Sequence, residues 1–590
     1  MKPAIGADLH CQPATRSFWE KAMKRLMLVL ALMSISFVAT AADVSLDAVV
    51  EADAATEFDA EKVISNQQAE IDLWNHLQAS RTDGERARIR LTLGELDKAL
   101  LANGGDGGDQ GYLVGIHTPV GQAIDLGREA ELGKVSAVGR ELVWNTSVQS
   151  GDANALRIHF TDVDLPKGAA LYVYNDAGQA HGPYTGKGPH GDGDFWSHTV
   201  FGEHAWVQVH YAGSNGRGFQ QATFEIADVS HLGEGFEIAE RVDPNKADCS
   251  GNVWCVENAE CYPNWSVLNP ARRAVAKMVF EENGGSWLCS GGLLNDNDSS
   301  HRVPWFLTAN HCIDSEAVAN TLETYFQYES PCGTCSATYV DSVLGSDLWA
   351  TGSTSDFTLL ELSELPSSWT LMGWTNAQVL DDVGTQLYRI SHPKGKPQAV
   401  SQHEVMATSQ SNYIMTENVL GTTEGGSSGG ILFQANTKVL GQLRGITYSG
   451  SYDLCDPSTF NTKDGALSAY WNSVKAYLSP SATSKMHVSN VTAGTKKKNF
   501  GFVSLFQGKA TVTVVDQLGN VVPRATVTVT FSNGLSGSYI GKTDDAGQVV
   551  VLHPNLNPSK PSFTACVSNI VHPYFNTYDS GANTVTCASR

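Results

Sequence analysis

The chain has 590 residues, more than one hydrophobic core usually serves, so its length predicts several domains. Charged residues make up 17% and aromatic residues 9%, and 56 glycines are present, which is typical of globular β-rich domains and not of disordered chains. The formal net charge of −22 argues against nucleic acid or an anionic membrane as the binding partner.

The first recognisable pattern is a secretion signal. Basic residues, Lys24 and Arg25 among them, precede a short apolar run, and small residues close it at positions 39–41. These three features are typical of a signal peptide, and the apolar run is too short for a transmembrane helix. The sequence therefore predicts a leader and signal peptide over residues 1–41 with translation starting at Met23, a secreted extracellular protein, and no membrane anchor.

Two patterns follow before the middle of the chain. Residues 43–105 contain stretches with helical spacing, at 73–77 and 91–101. Residues 112–235 contain short β-type runs between turns and no cysteine. This order predicts an α+β segment that continues into a β-sandwich.

Cysteines are concentrated in the central region. Eight of the eleven lie from Cys249 to Cys455, and two, Cys566 and Cys587, lie near the end. An oxidising compartment favours disulfides over metal ligation. The C-x-x-C motif at residues 332–335 has no second such motif with which to form a zinc site. The sequence therefore predicts a disulfide-bonded central domain, and neither a metal nor any other cofactor.

The central domain is predicted to span residues 247–480 and to end in a helix. Trp471 and Leu478 belong to its helically spaced apolar face, and a proline follows. Residues 481–498 are rich in serine, threonine, glycine and lysine and are predicted to be a linker. Alternating β-type residues then predict a small immunoglobulin-like β-sandwich over residues 499–590.

Three motifs of the central domain carry residues suited to catalysis. Residues 423–430 place Ser428 between glycines, which allow sharp turns and let backbone amides converge on one oxyanion. His311 ends a β-type run beside Cys312, and Asp356 stands before an apolar strand. A serine nucleophile needs a base, and the base needs an orienting carboxylate. Each motif alone is more typical of a turn, but the order histidine, aspartate, serine in β sequence favours a double β-barrel protease.

The central domain resembles the secreted bacterial lysyl endopeptidases, a branch of the chymotrypsin-like serine proteases. The motifs that carry the resemblance lie at residues 306–312, 354–362, 425–430 and 439–443. The resemblance implies a mainly β fold with two six-stranded antiparallel barrels and a site in the cleft between them. It also implies a serine endopeptidase that forms an acyl-enzyme on protein and peptide substrates.

The resemblance further assigns roles to residues of this chain. Ser428 is then the nucleophile, His311 the general base and Asp356 the residue that orients the base. The amides of Gly426 and Ser428 are the expected oxyanion hole. Residues 42–246 are then a propeptide that assists folding and blocks the cleft, with removal after Lys246 as the first choice and after Arg241 as the second. The enzyme is expected to be a monomer.

The sequence defines the substrate specificity less sharply than it defines the catalytic residues. Cleavage after a basic residue requires a carboxylate in the pocket for that residue. The position that trypsin uses is Thr422, whereas the family spacing from the last core cysteine leads to Asp464. Two residues that the family has after this acid are absent, and Arg444 replaces a family histidine. Cleavage after lysine or arginine is predicted, and a glutamyl or other preference is the alternative.

The resemblance also suggests a disulfide pattern, although eight central cysteines allow 105 pairings. Three pairs correspond to those of the family, the two additional central cysteines are expected to pair with each other, and the last two cysteines are expected to close the C-terminal sandwich. The predicted pairs are Cys249–Cys455, Cys255–Cys332, Cys289–Cys312, Cys261–Cys335 and Cys566–Cys587.

A second class of function is an inactive secreted adhesin or binding protein built on a protease fold. The complete set of histidine, aspartate and serine favours the enzyme, because inactive relatives of proteases usually lack a member of the triad.

Overall fold

The computed structural model describes most of residues 49–590. Residues 1–48, with the predicted signal peptide, lie outside the described residues, as do Lys246, Cys249 and Cys335. None of the helices in the described part of the chain is long and apolar enough to cross a membrane. The stretches within 49–590 that are not described are 82–88, 104–110, 128–132, 214–215, 234, 237–252, 299–301, 335–336, 409, 481–484, 501–502, 518, 520, 545 and 573–576.

The N-terminal segment, residues 49–236, combines strands with helices, as its sequence pattern predicts. Its elements are β1 (Glu51–Ala52), β2 (Ala55–Phe58), α1 (Ala60–Ser80), β3 (Ile89–Leu91), α2 (Glu95–Asn103), β4 (Tyr112–Asp125), β5 (Lys134–Val138), β6 (Glu141–Ser150), β7 (Ala155–Asp164), β8 (Ala169–Tyr174), β9 (Ala180–Tyr184), β10 (Phe195–Trp196), β11 (Val200–Phe201), β12 (His204–Tyr211), α3 (Gly216–Phe219) and β13 (Thr223–Leu232).

Two β-sheets face each other in the N-terminal segment. Strands β10, β11, β7, β13 and β4 form one sheet, and β3, β5, β6, β12, β8 and β9 form the other. Side chains alternate across a strand, so one side of each sheet is apolar and the two sides pack together. Trp144, Phe160 and Phe224 are buried in this shared core.

Helix α1 lies on the outer face of the second sheet. It begins at Asp59, whose side chain accepts hydrogen bonds from two amides of the first turn. Near its other end, Leu77 is fully buried with Tyr174 and Trp206 of β8 and β12. Since only this side of the helix is covered, His76 stays largely in solvent.

The central domain, residues 253–480, is mainly β. Its elements are β14 (Glu257–Asn258), a 3₁₀ turn (Ala259–Cys261), α4 (Leu268–Ala274), β15 (Val275–Glu282), β16 (Gly285–Leu294), β17 (Trp305–Thr308), α5 (Glu316–Ala319), β18 (Glu323–Phe326), β19 (Asp341–Leu344), β20 (Ser346–Gly352), β21 (Phe357–Leu362), β22 (Ser368–Leu371), β23 (Gly373–Thr375), β24 (Gln386–Ser391), a 3₁₀ turn (Pro393–Gly395), β25 (Ala399–Val405), β26 (Tyr413–Leu420), β27 (Ile431–Gln434), β28 (Lys438–Tyr448), β29 (Phe460–Ala466) and α6 (Leu467–Leu478).

The strands of the central domain form two barrel-like halves. In the second half, β24, β25, β26, β29, β28 and β27 close into a six-stranded antiparallel barrel. In the first half, the order is β20, β21, β17, β16, β15, β18 and β19 along one curved sheet. The predicted double-barrel class is therefore confirmed. Helix α6 ends the domain and buries Trp471, Val474 and Leu478, the residues whose spacing predicts it.

Strand pairing joins the N-terminal segment to both barrels. Strands β1 and β2 pair with β23 and β22 beside the second barrel. Strand β4 pairs antiparallel with β16 of the first barrel and places Tyr112 opposite Leu288. Next to this pairing, the buried guanidinium of Arg157 donates to Glu281 at 2.6 Å and to the Thr321 carbonyl at 2.9 Å. Buried charges are retained when they are paired, so this contact belongs to the core of the interface.

The C-terminal module, residues 485–590, consists of two four-stranded sheets, β34–β31–β30–β36 and β33–β32–β35–β37, with one core between them. Its elements are β30 (Lys485–Phe500), β31 (Val503–Asp516), β32 (Thr526–Ser532), β33 (Gly537–Lys542), β34 (Gln548–Leu552), β35 (Thr564–Val571), β36 (Thr577–Tyr578), a 3₁₀ turn (Ser580–Ala582) and β37 (Cys587–Ser589).

The predicted linker over residues 481–498 is wrong for most of its length. Strand β30 begins at Lys485 and pairs with β31 as far as Phe500. Met486, Val488 and Val491 are buried in the core of the module, whereas the lysines and threonines between and after them are not. The polar composition therefore reflects the solvent side of a strand and not a flexible connection.

The disulfides correct part of the predicted pattern. Cys455 is bonded to Cys255 and not to Cys249, and Cys261 is bonded to Cys332 and not to Cys335, so the predicted Cys255–Cys332 pair is also wrong. The Cα–Cα distances of 5.5 and 4.8 Å are normal for disulfides. One cause is the side-chain Nδ2 of Asn258, which donates to the carbonyl and the hydroxyl of Ser330 and holds the Cys261 turn against the loop before Cys332. The structure also contains the Cys289–Cys312 and Cys566–Cys587 bonds.

Candidate active site

His311 and Asp356 are in direct contact at the edge of the first barrel. The Asp356 Oδ2 atom lies 2.8 Å from His311 Nδ1, and Asp356 Oδ1 accepts the His311 amide at 3.0 Å. Both side chains are nearly buried, with 6% and 3% exposed. The Cys289–Cys312 bond anchors the residue after the histidine to β16. The carboxylate therefore holds the imidazole in one orientation and fixes a proton on Nδ1, leaving Nε2 as the basic nitrogen.

The loop that carries Ser428 is attached to β16 through Ser290. The amide of Ser290 donates to the Ser428 carbonyl at 2.8 Å, and its hydroxyl donates to the Gly426 carbonyl at 2.9 Å. Gly429 has φ of +80°, and a Cβ there would lie 2.2 Å from the Ser290 carbonyl oxygen. A glycine is therefore required after Ser428. Ser290 is not among the residues predicted from the sequence, where its only signal is its position directly after Cys289.

From Gly426 to Gly429, backbone amides that donate a hydrogen bond alternate with amides that donate none among the described residues. Ser427 and Gly429 donate to backbone carbonyls at 3.1 and 2.8 Å. Among the described residues, the amides of Gly426 and Ser428 donate to no backbone or side-chain acceptor. Gly426 has φ of +89°, which glycine adopts without strain. Two neighbouring donors thus remain available to an oxygen atom in the cleft.

Two cavities lie beside the predicted catalytic residues. One, of about 420 Å³, is lined by Ser428, by the loop before it and by Tyr448 and Tyr452. The other, of about 310 Å³, is lined by His311 and Asp356. Arg444 lines both cavities. Within the described residues, His311 Nε2 and Ser428 Oγ form no hydrogen bond, and such bonds commonly tighten only when substrate binds.

Arg444 places a positive charge beside the histidine and the aspartate. Its Nε atom lies 3.5 Å from Asp356 Oδ2, and its Nη1 atom lies 3.4 Å from His311 Nδ1. The side chain is 33% exposed, so solvent screens part of this charge. Arg444 also lines the cavity beside Ser428, and its predicted role in substrate specificity stays a prediction.

Asp464 does not line the cavity beside Ser428, where a carboxylate that binds a basic substrate side chain is expected. Its carboxylate is fully buried, and both oxygens accept hydrogen bonds from Nη2 of Arg389, at 2.6 and 2.7 Å. A carboxylate whose two oxygens are engaged by a buried guanidinium is not free to receive a substrate ammonium.

Glu424 is the carboxylate on the wall of the cavity beside Ser428, and the sequence analysis did not identify it. Its side chain is 5% exposed and lies 3.4 Å from the ammonium of Lys394, on the same wall. Its other oxygen accepts the amide of Val253 at 3.1 Å. The position of Glu424, four residues before the serine, is the signal that would have identified it.

Tyr112 of the N-terminal segment also lines the cavity beside Ser428. Its side chain is 4% exposed, and a Cβ on Gly425 would lie 2.7 Å from its ring. Because β4 pairs with the part of β16 that leads to Cys289, the N-terminal segment covers one end of the cleft.

Known proteins resemble this chain over its central domain and, in one relative, over a longer part of the chain. Residues 247–465 match the family model of the lysyl endopeptidase C-terminal domain. A lysyl endopeptidase of Pseudomonas aeruginosa is 28% identical over 342 residues, which cover 55% of this chain and 72% of that protein.

Solved structures with similar folds are serine proteases at low similarity. The active form of the Rv3671c protease of Mycobacterium tuberculosis has a TM-score of 0.25 and 12% identity, covering 40% of this chain and 92% of that one. The thermostable serine protease AL20 from an extremophilic microorganism has a TM-score of 0.26 and 12% identity, covering 35% and 98%.

The double barrel and the matched family together define a serine-type endopeptidase with a chymotrypsin-like fold. More narrowly, the chain is a lysyl endopeptidase-like protease that acts on peptide bonds. The fold and the similarity to lysyl endopeptidases are explained by a protease, without the alternative of an inactive adhesin on the same fold.

Proposed function

We propose that the enzyme hydrolyses peptide bonds through an acyl-enzyme on Ser428. His311 removes the proton of the Ser428 hydroxyl during attack on the carbonyl carbon and later donates it to the leaving amine. Asp356 orients the imidazole and stabilises its positive form. The observation that carries this proposal is the pair of contacts, at 2.8 and 3.0 Å, between Asp356 and His311.

The amides of Gly426 and Ser428 would stabilise the tetrahedral oxyanion. Their lack of acceptors within the described residues supports this role, since a donor already engaged would have to be released first. A water molecule then attacks the acyl-enzyme with the same base and the same oxyanion donors.

Labelling with a fluorophosphonate tests the nucleophile. The parent enzyme and the Ser427→Ala variant should form an adduct, because the Ser427 side chain is buried. The Ser428→Ala variant should form none. Adduct formation that persists in Ser428→Ala would refute the assignment, and a protein that never reacts would support the inactive alternative.

We further propose that cleavage follows lysine or arginine and that Glu424 receives the side chain of that residue. The name of the matched family supports a basic preference. Glu424 already lies near the ammonium of Lys394, at 3.4 Å, so a cation is accommodated at this place in the cavity. The substrate cation would displace Lys394 toward solvent, where 25% of its side chain already lies.

An acidic preference is the second candidate. Lys394 and Arg444 both line the cavity beside Ser428, whereas Asp464 is engaged by Arg389. These two cations favour a substrate carboxylate if Lys394 keeps Glu424 neutralised.

Peptides that differ only in the residue before the cleaved bond distinguish these candidates. If the basic preference holds, Glu424→Gln should lower kcat/KM for lysyl peptides by at least about tenfold and leave neutral peptides unchanged. Glutamyl peptides cleaved faster than lysyl ones, with loss of this preference in Arg444→Gln, would establish the acidic preference instead.

We also propose that the chain is secreted as a precursor and that the N-terminal segment is its propeptide. The signal-like sequence and the disulfides support secretion. The contact of Tyr112 with Gly425 and the pairing of β4 with β16 support inhibition of the cleft. The Ser428→Ala variant should accumulate as an unprocessed precursor, whereas its normal maturation would mean that another protease removes the segment.

A further inference from the structure

Three side chains suited to bind a transition metal converge on the outer surface of the N-terminal segment. They are His76 of α1, Glu141 of β6 and His210 of β12, and their ligand atoms all lie within 4.8 Å of one another. This cluster lies in the segment proposed as the propeptide and is separate from the residues proposed for catalysis.

The distances match those of ligands around one ion. Glu141 Oε2 lies 3.1 Å from His210 Nδ1 and 3.8 Å from His76 Nε2. Tetrahedral zinc with bonds of about 2.05 Å separates neighbouring ligand atoms by about 3.3 Å. Small changes in the side-chain torsions of His76, which is 55% exposed, are enough to complete the geometry.

The hydrogen bond between His210 Nε2 and Gln208 determines the tautomer of His210 and therefore whether its Nδ1 atom presents a lone pair to Glu141. Gln208 Nε2 lies 3.3 Å from the Leu77 carbonyl, which only accepts, so this atom is the amide nitrogen of Gln208. The Gln208 Oε1 atom, 3.0 Å from His210 Nε2, must therefore accept a proton from that nitrogen.

A neutral His210 that donates from Nε2 has a lone pair at Nδ1. This lone pair then faces a carboxylate oxygen of Glu141 at 3.1 Å, an arrangement that a cation between the two atoms stabilises. Metal-bound histidines typically donate their other ring nitrogen to an oxygen in this way, which fixes the tautomer and the ring orientation.

We propose that His76, Glu141 and His210 bind one Zn²⁺ ion, with Gln208 orienting His210. Two imidazoles and one carboxylate suit Zn²⁺ better than Ca²⁺ or Mg²⁺, which prefer oxygen ligands alone. The exposed fractions of His76 and Glu141, 55% and 34%, leave room for water as a fourth ligand. The ion ties helix α1 to the sheet beneath it and stabilises the N-terminal segment.

Titration of the untagged Ser428→Ala chain with Zn²⁺ tests the site, after intact-mass analysis has established that the segment is still attached. One equivalent should bind in competition with a chromophoric chelator. Co²⁺ at the same site should give the visible absorption of a tetrahedral complex. His76→Asn changes an exposed side chain and Glu141→Gln a partly exposed one of nearly the same size, so both variants should fold. Each should bind Zn²⁺ at least about tenfold more weakly.

His487→Gln, in the C-terminal module, is the matched control and should bind like the parent. Failure of the parent to bind an equivalent of Zn²⁺ would overturn the proposal, and so would unchanged binding in both His76→Asn and Glu141→Gln. Neither result depends on the proposed catalytic residues, because the test uses binding and not activity.

Discussion

Arg389 holds both oxygens of Asp464 in the core of the second barrel, with neither side chain exposed to solvent. The other terminal nitrogen of the guanidinium lies 2.9 Å from His403 Nε2, so the pair is part of a larger buried polar group. A buried charge is tolerated here because its partner is adjacent, and removal of either partner leaves the other unpaired.

The Asp464→Asn variant should therefore lose stability and keep its substrate preference. An unpaired buried Arg389 costs about 3–5 kcal/mol of unfolding free energy, which denaturant unfolding of the Ser428→Ala background would measure. On peptides, folded Asp464→Asn should retain the ratio of lysyl to neutral cleavage, in contrast to Glu424→Gln. An Asp464→Asn enzyme with unchanged stability and lost lysyl cleavage would instead make Asp464 the specificity residue.

Arg444 is expected to slow the chemical step. In the proposed mechanism an imidazolium forms at His311 in the transition state, and Arg444 lies 3.4 Å from the Nδ1 atom of His311 and 3.5 Å from the Asp356 carboxylate. After solvent screening, the repulsion amounts to about 1 kcal/mol, so Arg444→Gln should raise kcat for neutral peptides about fivefold. Arg444→Lys keeps the charge and should resemble the parent; equal rates in Gln and Lys variants would contradict this.

Tyr112 is expected to be an anchor of the inhibited precursor. In a Lys246→Gln chain, whose predicted cleavage site is blocked, the cleft should stay closed to a small fluorogenic peptide. Replacing the buried Tyr112 with alanine removes contacts worth about 3 kcal/mol and should raise activity at least about tenfold. Leu96→Ala, which changes a side chain that is 74% exposed, is the control. An equally inactive Tyr112→Ala precursor would refute this role.

The N-terminal segment should lose stability on acidification. His181 and His198 stack with ring centroids 4.6 Å apart, and burial lowers the pKa of each to about 3, from an ordinary value of 6.5. The unfolded chain therefore binds more protons, and folding stability falls as pH decreases from about 6.5 toward 3. Between pH 7 and 5 this amounts to about 2 kcal/mol per histidine.

Thermal unfolding of the Ser428→Ala chain at these two pH values measures the effect. His181→Phe removes one titrating ring and should reduce the loss on acidification, whereas Leu96→Ala should not. A pH dependence identical in His181→Phe and the parent would contradict the assignment to this stacked pair.

Arg524 should keep the C-terminal module docked on the first barrel. Its guanidinium lies 2.6 Å from Glu316 and 2.7 Å from Asp347, with 17% of the side chain exposed. Arg524→Ala should lower the docking free energy by about 1–3 kcal/mol and speed limited proteolysis between the module and helix α6. Lys560→Ala, at an exposed position, should leave the cleavage rate unchanged. Equal proteolysis of both variants would mean that Arg524 is not needed for docking.

The sequence was most informative where the chemistry is local. Glycines around Ser428 and a cysteine beside His311 are short motifs whose meaning depends on a few neighbouring positions. The alternating pattern of the strands and the helical spacing of Trp471, Val474 and Leu478 likewise reflect which side of each element is buried. These signals were sufficient for the enzyme class, the double barrel and the helix that ends it.

Some predictions failed because they depend on distance in space. The spacing from Cys455 pointed to Asp464, but Arg389, 75 residues away, occupies both of its oxygens. Cys255 and Cys261 are bonded to Cys455 and Cys332, and these pairings depend on which distant loops pack beside each cysteine.

By itself, the sequence determined the enzyme class and the mainly β fold, since these follow from composition, periodicity and short motifs, and it proposed residues suited to catalysis, which stay a prediction. Only the tertiary structure decided which groups share an environment. It brought Arg444 beside Asp356, and His76 beside His210 across 134 positions of chain. The physical reason is that pairing between distant strands depends on the packing of the whole chain, which no local pattern encodes.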